Sequence, residues 1–214
     1  MNMKQNMILL MLLMFGCYVN AQNDTLRFVN GSVFIGNIQN GVGVLYTING
    51  DIYKGTIFNR KKGEPCTKYQ KNGCRYYGEL KNGKYSGHGR LEWPSGTIVI
   101  CDFENGSSNG EGYIYKKTGC VYHGEIRNGL PHGIGGSYCR NGSFSEGEYI
   151  DGKLSSAIIN GTPFVGGRYL SDNFNTGDYR LDVNRKYREL IGLLTDFPGE
   201  KLTERELEFS IEEL

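Results

Sequence analysis

This sequence of 214 residues has little proline, little net charge and no long apolar run. It contains 5 prolines beside 32 glycines, so it is neither collagen-like nor a proline-rich linker. The net charge of +1 argues against a general nucleic-acid binder, which needs a strongly basic surface. Because 38% of the residues are hydrophobic and 12% aromatic, a disordered chain is excluded and one or two folded domains are expected.

The motifs of catalysis and of metal or cofactor binding are also missing. No two of the 6 cysteines form Cys-x-x-Cys, so a zinc site is not expected. No nucleophile elbow is present, and no Gly-x-Gly pair opens a helix as a phosphate loop does. Acidic residues that recur at a fixed interval alternate with apolar ones, which indicates a solvated strand face rather than a carboxylate pair; they are Glu79, Asp102, Glu125 and Glu148. We therefore predict a non-enzymatic protein with no cofactor or metal, no nucleic-acid partner and no identified small-molecule substrate.

Residues 1–21 have the pattern of a secretory signal and resemble a bacterial export signal. One lysine precedes an unbroken apolar run of 9 residues, Met7 to Phe15. That run is too short to span a bilayer, which needs about 20 residues, but it suits the apolar core of a signal peptide. Cleavage after Ala21 would export the protein to the periplasm, the cell envelope or the medium. Two alternatives stay open: lipid anchoring through Cys17, and an uncleaved apolar N-terminus.

The glycines recur with a fixed period, which is the signature of an internal repeat. Five of them are spaced by 23 residues, and one more on each side is spaced by 19; in order they are Gly31, Gly50, Gly73, Gly96, Gly119, Gly142 and Gly161. Inside the clearest unit, Tyr76, Gly78 and Leu80 alternate with polar residues. A period of two predicts a strand with one apolar face.

An Asn-Gly or Asp-Gly pair follows five of these strands and predicts a hairpin at each, since both central positions of its tight turn need positive φ. These pairs begin at Asn40, Asn82, Asn105, Asn128 and Asp151. Gly-x-Gly pairs at 87/89, 110/112 and 133/135 open the return strands, where the missing side chains leave room for neighbouring tyrosine rings. One hairpin cannot bury its apolar face alone, so stacked hairpins are expected to share one core.

The combined pattern, Tyr-x-Gly-x-Leu-x-x-Gly-x-x-x-Gly-x-Gly-x-Leu on a 23-residue period, resembles the membrane occupation and recognition nexus (MORN) repeat. The resemblance covers about 31–168 and is clearest at 73–95, 96–118 and 119–141, whereas 50–72 lacks the Gly-x-Gly pair. It implies a mainly β fold, an elongated and twisted antiparallel meander of stacked β-hairpins. Members of the family serve as scaffolds, dimerisation surfaces or membrane-association modules, and the repeat itself carries no catalytic motif.

The glycine rhythm stops beyond residue 168, and helical spacing replaces it. One apolar stripe consists of Val183, Tyr187, Leu190, Ile191 and Leu194. A capping box and a second stripe follow, so we predict short helices over 183–195 and 204–214. They are expected to pack on the open end or the apolar face of the sheet, with partner binding as the alternative. The predicted organisation is a signal peptide (1–21), a lead-in (22–30), a MORN-repeat sheet (31–168) and a C-terminal helical segment (169–214).

Aromatic and basic residues outside the apolar column form the predicted interaction surface, because tyrosine and tryptophan offer rigid, amphipathic contact area. They are Tyr85, Trp93, Tyr113, Tyr115, Tyr138, Lys81 and Arg127. The expected partner is another protein or a second copy of the chain, and an anionic membrane surface is a further candidate. The alternative function is a carbohydrate-binding or envelope-processing module whose aromatic residues stack on sugars.

Charge and cysteines add two expectations. Residues 31–168 hold 16 Lys and Arg against 11 Asp and Glu, while 169–214 hold 6 against 11. The acidic tail is therefore expected to dock on the basic sheet and to compete there with an anionic partner. Cys120 and Cys139 fall near cross-strand register, which predicts a disulfide; the alternative is that both are small buried side chains.

Overall fold

The computed structural model describes residues 17–20, 25–58, 60–159, 162–165, 168–169 and 185–193. Nearly all of them lie in antiparallel strands or in the turns between strands. Two compact units divide the chain between Glu79 and Leu80. The second unit extends to Pro198 and includes one helix, α1 (185–193).

The strands of the first unit begin earlier than the glycine period predicts, since two of them precede Gly31. The strands are β1 (Cys17–Asn20), β2 (Thr25–Phe28), β3 (Val33–Asn37), β4 (Val42–Tyr46), β5 (Ile52–Thr56), β6 (Cys66–Tyr69) and β7 (Arg75–Lys81), which crosses the division. Each pairs with the next in antiparallel register. Strand β1 lies inside the predicted signal and β2 inside the predicted lead-in 22–30, so the lead-in contributes to the sheet. Cleavage after Ala21 stays a prediction.

The second unit is also a meander in chain order. Its strands are β8 (Lys84–Glu92), β9 (Ile98–Glu104), β10 (Ser107–Lys116), β11 (Cys120–Arg127), β12 (Leu130–Cys139), β13 (Phe144–Ile150), β14 (Lys153–Ile159), β15 (Thr162–Val165) and β16 (Arg168–Tyr169). Neighbours are antiparallel throughout. The predicted antiparallel meander of hairpins, with a helical segment after it, is confirmed.

Two-residue turns join hairpin strands at the predicted Asn-Gly and Asp-Gly pairs. Asn82, Asn105, Asn128 and Asp151 have φ of 51°, 53°, 51° and 48°, and the glycine after each also has positive φ. These values fit the turn type whose twist matches that of the paired strands. Successive turns are linked, because the amide of Gly129 donates to the carbonyl oxygen of Ser108 (3.2 Å) and that of Gly152 donates to Pro131 (2.8 Å).

The turn predicted at Asn40–Gly41 differs from the others. Only Gly41 has positive φ there (76°), and β3 ends at Asn37 while β4 begins at Val42, so the loop is wider. The amide of Gly41 donates to the carbonyl oxygen of Asn37 (2.8 Å). The Asn37 side-chain oxygen also accepts from the amides of Gln39 and Asn40 at 2.9 and 3.0 Å. This local capping by Asn37 replaces the tight turn.

Strands β9–β13 have two apolar faces. On the first, here called the glycine face, aromatic rings lie over glycines: a Cβ atom on Gly135 would lie 2.3 Å from the hydroxyl oxygen of Tyr122. The Tyr122 hydroxyl donates to the carbonyl oxygen of Glu125 (2.7 Å), and its ring meets that of Tyr149 edge-on at 5.0 Å. The prediction that the Gly-x-Gly pairs make room for tyrosine rings is confirmed at Gly135. At Gly112 the neighbour is instead Cys101, which is buried and which replaces a repeat glycine.

Candidate functional site

The second face of β9–β13, here called the helix face, is built by the strand register. Val121 lies opposite Tyr138, and Tyr138 lies opposite Phe144. Ile100 lies opposite Tyr113 on the neighbouring strands. Successive residues of a strand point to opposite sides, so these side chains share the side that Tyr122 does not occupy. Together they form one apolar surface that crosses five strands.

Helix α1 packs on the helix face. Leu190 is 2% exposed and belongs to one buried cluster with Ile100, Val121, Tyr138 and Phe144. Tyr187 and Ile191 pack against the same cluster. Their spacing of three and four residues from one another is that of a single helix face. The predicted helix within 183–195 is present over 185–193, but it packs on the side of the sheet opposite the apolar column of the repeat, and not on the face of that column as expected. The predicted helix 204–214 lies outside the described residues.

The outer side of α1 is charged. Arg185, Arg188 and Glu189 are exposed, and Arg185 Nε lies 4.0 Å from the Glu189 carboxylate. An exposed pair of this kind stabilises a helix by only about 0.3–0.5 kcal/mol. This pair lies within α1 and does not join the helix to the sheet, whereas the apolar stripe does.

Tyr138 joins the apolar cluster to a polar edge. Its hydroxyl donates to a carboxylate oxygen of Glu146 at 2.5 Å, in the next strand. Burial, followed by the adjacent Glu146 carboxylate, raises the pKa of the Tyr138 hydroxyl well above its ordinary value. The hydroxyl therefore stays protonated, as the donor in this hydrogen bond, throughout the physiological range.

His123 lies at the boundary between the sheet and α1. Its ring stacks on Tyr113, with the centroids 4.6 Å apart and the planes 11° from parallel, and its Nε2 atom lies 3.4 Å from Glu111. Burial, and then the positive charge of Lys186 on α1, lower the pKa of His123, while Glu111 acts in the opposite direction. The docked helix thus disfavours a positive charge on His123.

The predicted interaction residues are spread over several places. Tyr113, Tyr115 and Tyr138 lie together on the helix face, against α1. Tyr85 lies on the glycine face, edge-on to Phe103 at 5.8 Å, and Trp93 is half-buried at a loop where its amide donates to Thr97. Lys81 and Arg127 are exposed beside the Asn-Gly turns. The seven residues are therefore not one surface, and the three that the structure brings together belong to, or pack against, the cluster that includes Leu190 of α1.

Sequence reasoning missed Ile100, Val121, Phe144 and His123. Val121 and Ile100 occupy strand positions where the repeat pattern places solvated residues. An apolar residue at such a position breaks the one-faced alternation, and two of them in neighbouring strands are a signal that the second face is also covered.

The structure joins Cys120 and Cys139 in a disulfide between β11 and β12, with the Cα atoms 4.0 Å apart. The other described thiols of the folded units, Cys66, Cys74 and Cys101, are buried. Burial raises the pKa of all three, that of Cys101 to about 12. They are therefore small core residues rather than reactive thiolates.

Within the described ranges, no group of three or more His, Cys, Asp or Glu is arranged to hold a metal ion. In the same part of the chain, no helix combines the length and the apolar character that crossing a bilayer requires.

A comparison with known protein families finds a repeat whose matches are spaced by a multiple of the 23-residue period. The MORN repeat matches this chain at two places. The matches cover 76–98 and 122–144, which begin at Tyr76 and at Tyr122. Both of these tyrosines are buried. No curated protein matches the chain significantly.

Two solved structures align with this chain over most of their length. One is the SAS-4 (dCPAP) TCP domain of Drosophila melanogaster in complex with a proline-rich motif of Ana2, at 14% identity and a TM-score of 0.46, covering 74% of this chain and 88% of that one. The other is the TCP10 domain of Danio rerio CPAP in complex with a STIL peptide, at 10% identity and a TM-score of 0.20, covering 71% and 93%. At these values neither likeness indicates a function for this chain.

Proposed function

We propose that this protein is a non-enzymatic MORN-repeat interaction module whose helix face binds a short amphipathic helix of a protein partner. The observation that carries the proposal is the seating of α1, because the face already holds such a helix. Leu190 is its central anchor, with Tyr187 and Ile191 on either side. A partner helix with large apolar residues at the same three positions would make the same contacts.

In this proposal α1 competes with the partner. A segment tethered to its own binding face has an effective concentration on the order of 1 mM, so a partner helix must displace it or bind more tightly. Helix α1 of a second copy is one such partner, since exchange of identical segments keeps every contact. The face is thus closed in the free chain and becomes available when α1 leaves.

The module is further proposed to act after export, in the periplasm, the cell envelope or the medium. The apolar run before Ala21 supports export, and the Cys120–Cys139 disulfide suits an oxidising compartment. The mass of the unreduced mature protein tests this part. A start at Gln22 with Cys120 and Cys139 linked would support it, whereas an intact N-terminus with free thiols throughout would contradict it.

The helix-binding proposal is tested with a labelled synthetic peptide of residues 183–195. We expect it to bind the full chain that carries Leu190→Asp, whose own α1 is released, and to bind the wild-type chain at least about tenfold more weakly because the face is occupied. Fluorescence anisotropy measures both affinities. A peptide with Leu190→Asp is the matched control and should not bind. If the wild-type peptide binds neither chain, or binds both equally, the helix face is not a helix receptor.

Peptide binding is expected to weaken as the medium is acidified from about pH 7.5 to about pH 5.5. In the docked state burial, and then the positive charge of Lys186, hold the pKa of His123 below its ordinary value of 6.5, so the undocked state takes up a proton first. Docking is therefore strongest above the ordinary pKa of 6.5 and is lost progressively as the pH falls below it.

The same anisotropy measurement in the His123→Gln background is the control for this acid effect. Glutamine keeps a hydrogen-bonding side chain but does not titrate, so the affinity should then be nearly independent of pH. A peptide with Lys186→Gln should show a smaller acid effect on the chain with His123. An unchanged acid effect in both variants would assign it to another group.

A further inference from the structure

The repeat unit that lacks the Gly-x-Gly pair has a longer loop where the clearest units have a tight turn. Strand β5 ends at Thr56 and β6 begins at Cys66, so residues 57–65 lie between two paired strands of the first unit. Arg60 occupies the position that the turn glycine Gly83 occupies 23 residues later. An arginine rarely adopts the positive φ that the two-residue turn requires, so this turn is replaced by the loop.

The first part of the loop is fixed to the first unit. The ring of Phe58 packs edge-on against that of Phe34, with the centroids 4.8 Å apart. Residue 59 lies outside the described residues. After it, Arg60 Nε donates to the carbonyl oxygen of Thr56 at 2.8 Å. The chain therefore leaves the sheet only beyond these two anchors.

Glu64 holds the tip of the loop, here defined as residues 61–63. Its carboxylate accepts one hydrogen bond from the Thr56 hydroxyl (2.5 Å) and one from the amide of Lys61 (3.0 Å). These two bonds, in that order, lower the pKa of Glu64 below its ordinary value of 4.5, so the carboxylate is ionised at neutral pH. The amide of Glu64 also donates to the carbonyl oxygen of Lys61 (3.1 Å), which closes a turn. All three residues of the tip are exposed.

We propose that this tip is a site of limited proteolysis by an endopeptidase that cleaves after lysine or arginine, and that Glu64 sets its rate. Residues 60–62 are three consecutive basic residues. Exposed loop tips are preferred sites of nicking, because a protease must draw a short segment of chain into its active site. The enzyme breaks the bond between the carbonyl carbon of Lys61 or Lys62 and the next nitrogen. Water adds hydroxyl to the carbon and a proton to the nitrogen, and no electrons are transferred.

Cleavage at the tip would leave the sheet of the first unit in place. Strand β5 pairs with β6 from Ile52 opposite Tyr69 to Gly55 opposite Cys66, and neither strand contains the cleaved bond. The two products therefore stay associated through the hydrogen bonds of the paired strands. The result is a nicked but folded unit, and its formation does not depend on the helix face.

A second lysine pair gives a comparison within the chain. Lys116 and Lys117 are also exposed, but they belong to the short connection between β10 and β11. The amide of Gly119 donates to the carbonyl oxygen of Lys116 at 2.8 Å. Lys116 also lies opposite Cys120, which is held by the disulfide. A protease would have to unpair two strands to cleave there, so exposed lysines alone do not make a cleavage site.

Limited proteolysis of the native, unreduced full chain with trypsin tests the proposal, with mass spectrometry following each cut. Each rate is divided by that of a synthetic peptide with the same local sequence. We expect the corrected rate after Lys61 or Lys62 to be at least about tenfold higher than that after Lys116 or Lys117. The two products should elute together in size-exclusion chromatography. Equal corrected rates, or products that separate without denaturant, would overturn the proposal.

Two variants test the roles of the lysines and of Glu64. Lys61→Gln combined with Lys62→Gln should abolish the cut, and a cut that persists after Arg60 would contradict the proposed site. Glu64→Ala should accelerate the cut at least about threefold, because the tip then opens more often. The buried Lys68 should stay uncut in this variant, which shows that the strands remain folded. An unchanged rate with Glu64→Ala would contradict the proposed control by Glu64.

Discussion

Replacing Gly135 by alanine is expected to destabilise the second unit by about 3–5 kcal/mol, the usual cost of losing a buried aromatic ring. The new Cβ would lie 2.3, 2.5 and 2.6 Å from three atoms of Tyr122, far inside contact distance. Tyr122 is 4% exposed and is held by its hydroxyl at Glu125, so the ring has no free space to enter. Either the ring leaves its site or β12 shifts away from β11. Urea denaturation of the two proteins measures the difference.

The glycine prediction has two controls. Gly192 lies inside α1 with no atom within 4 Å of its Cβ position, so Gly192→Ala should stabilise the helix by up to roughly 1 kcal/mol. In a Tyr122→Leu background the aromatic ring is gone, and Gly135→Ala should cost much less. If Gly135→Ala costs the same in both backgrounds, the two residues are not coupled and contact with the ring is not the reason for the glycine.

Most of the fold could be predicted from the sequence because the chain is built from a repeat. Periods of 23 residues and of two residues are local features, and Asn-Gly pairs fix the turns at Asn82, Asn105 and Asn128 through their backbone conformation. The Asn40–Gly41 pair also predicted a two-residue turn, but the structure has a wider loop there, in which only Gly41 has positive φ. Asn37 caps the backbone three residues earlier, and this competing side-chain hydrogen bond decides the loop.

Only part of the candidate site could be predicted from the sequence. Tyr113, Tyr115 and Tyr138 were predicted as contact residues, and they do share one face. A single sheet, however, has two faces, and sequence does not say which of them a distant helix will cover. Leu190 is about 46–90 residues further along the chain than the side chains it meets, so its docking depends on how the whole meander is arranged. The sequence analysis named these side chains as contact residues, but it placed the C-terminal helix at the open end or on the face of the apolar column instead of on them.

Leu190→Asp is expected to release α1 from the sheet. Leu190 is 2% exposed and is the helix residue that joins the buried cluster, so truncating such a side chain alone costs about 2–5 kcal/mol. A carboxylate in its place would also have to be buried without a partner, which costs more than leaving the face. The helix should therefore undock while the hairpins stay paired. Hydrogen exchange of peptides from α1 and from β9–β13 measures both parts.

Leu193→Asp is the matched control, because it adds the same charge to the same helix at a side chain that is 52% exposed. A surface substitution of this kind changes stability by no more than about 0.5 kcal/mol, so α1 should stay protected from exchange. With Leu190→Asp, by contrast, exchange should rise in α1, whereas the paired strands that carry Val121 and Tyr138 should stay protected. If α1 exchanges equally fast in the two variants, Leu190 does not anchor the helix. The proposal that the helix face binds apolar residues of a helix would then be contradicted.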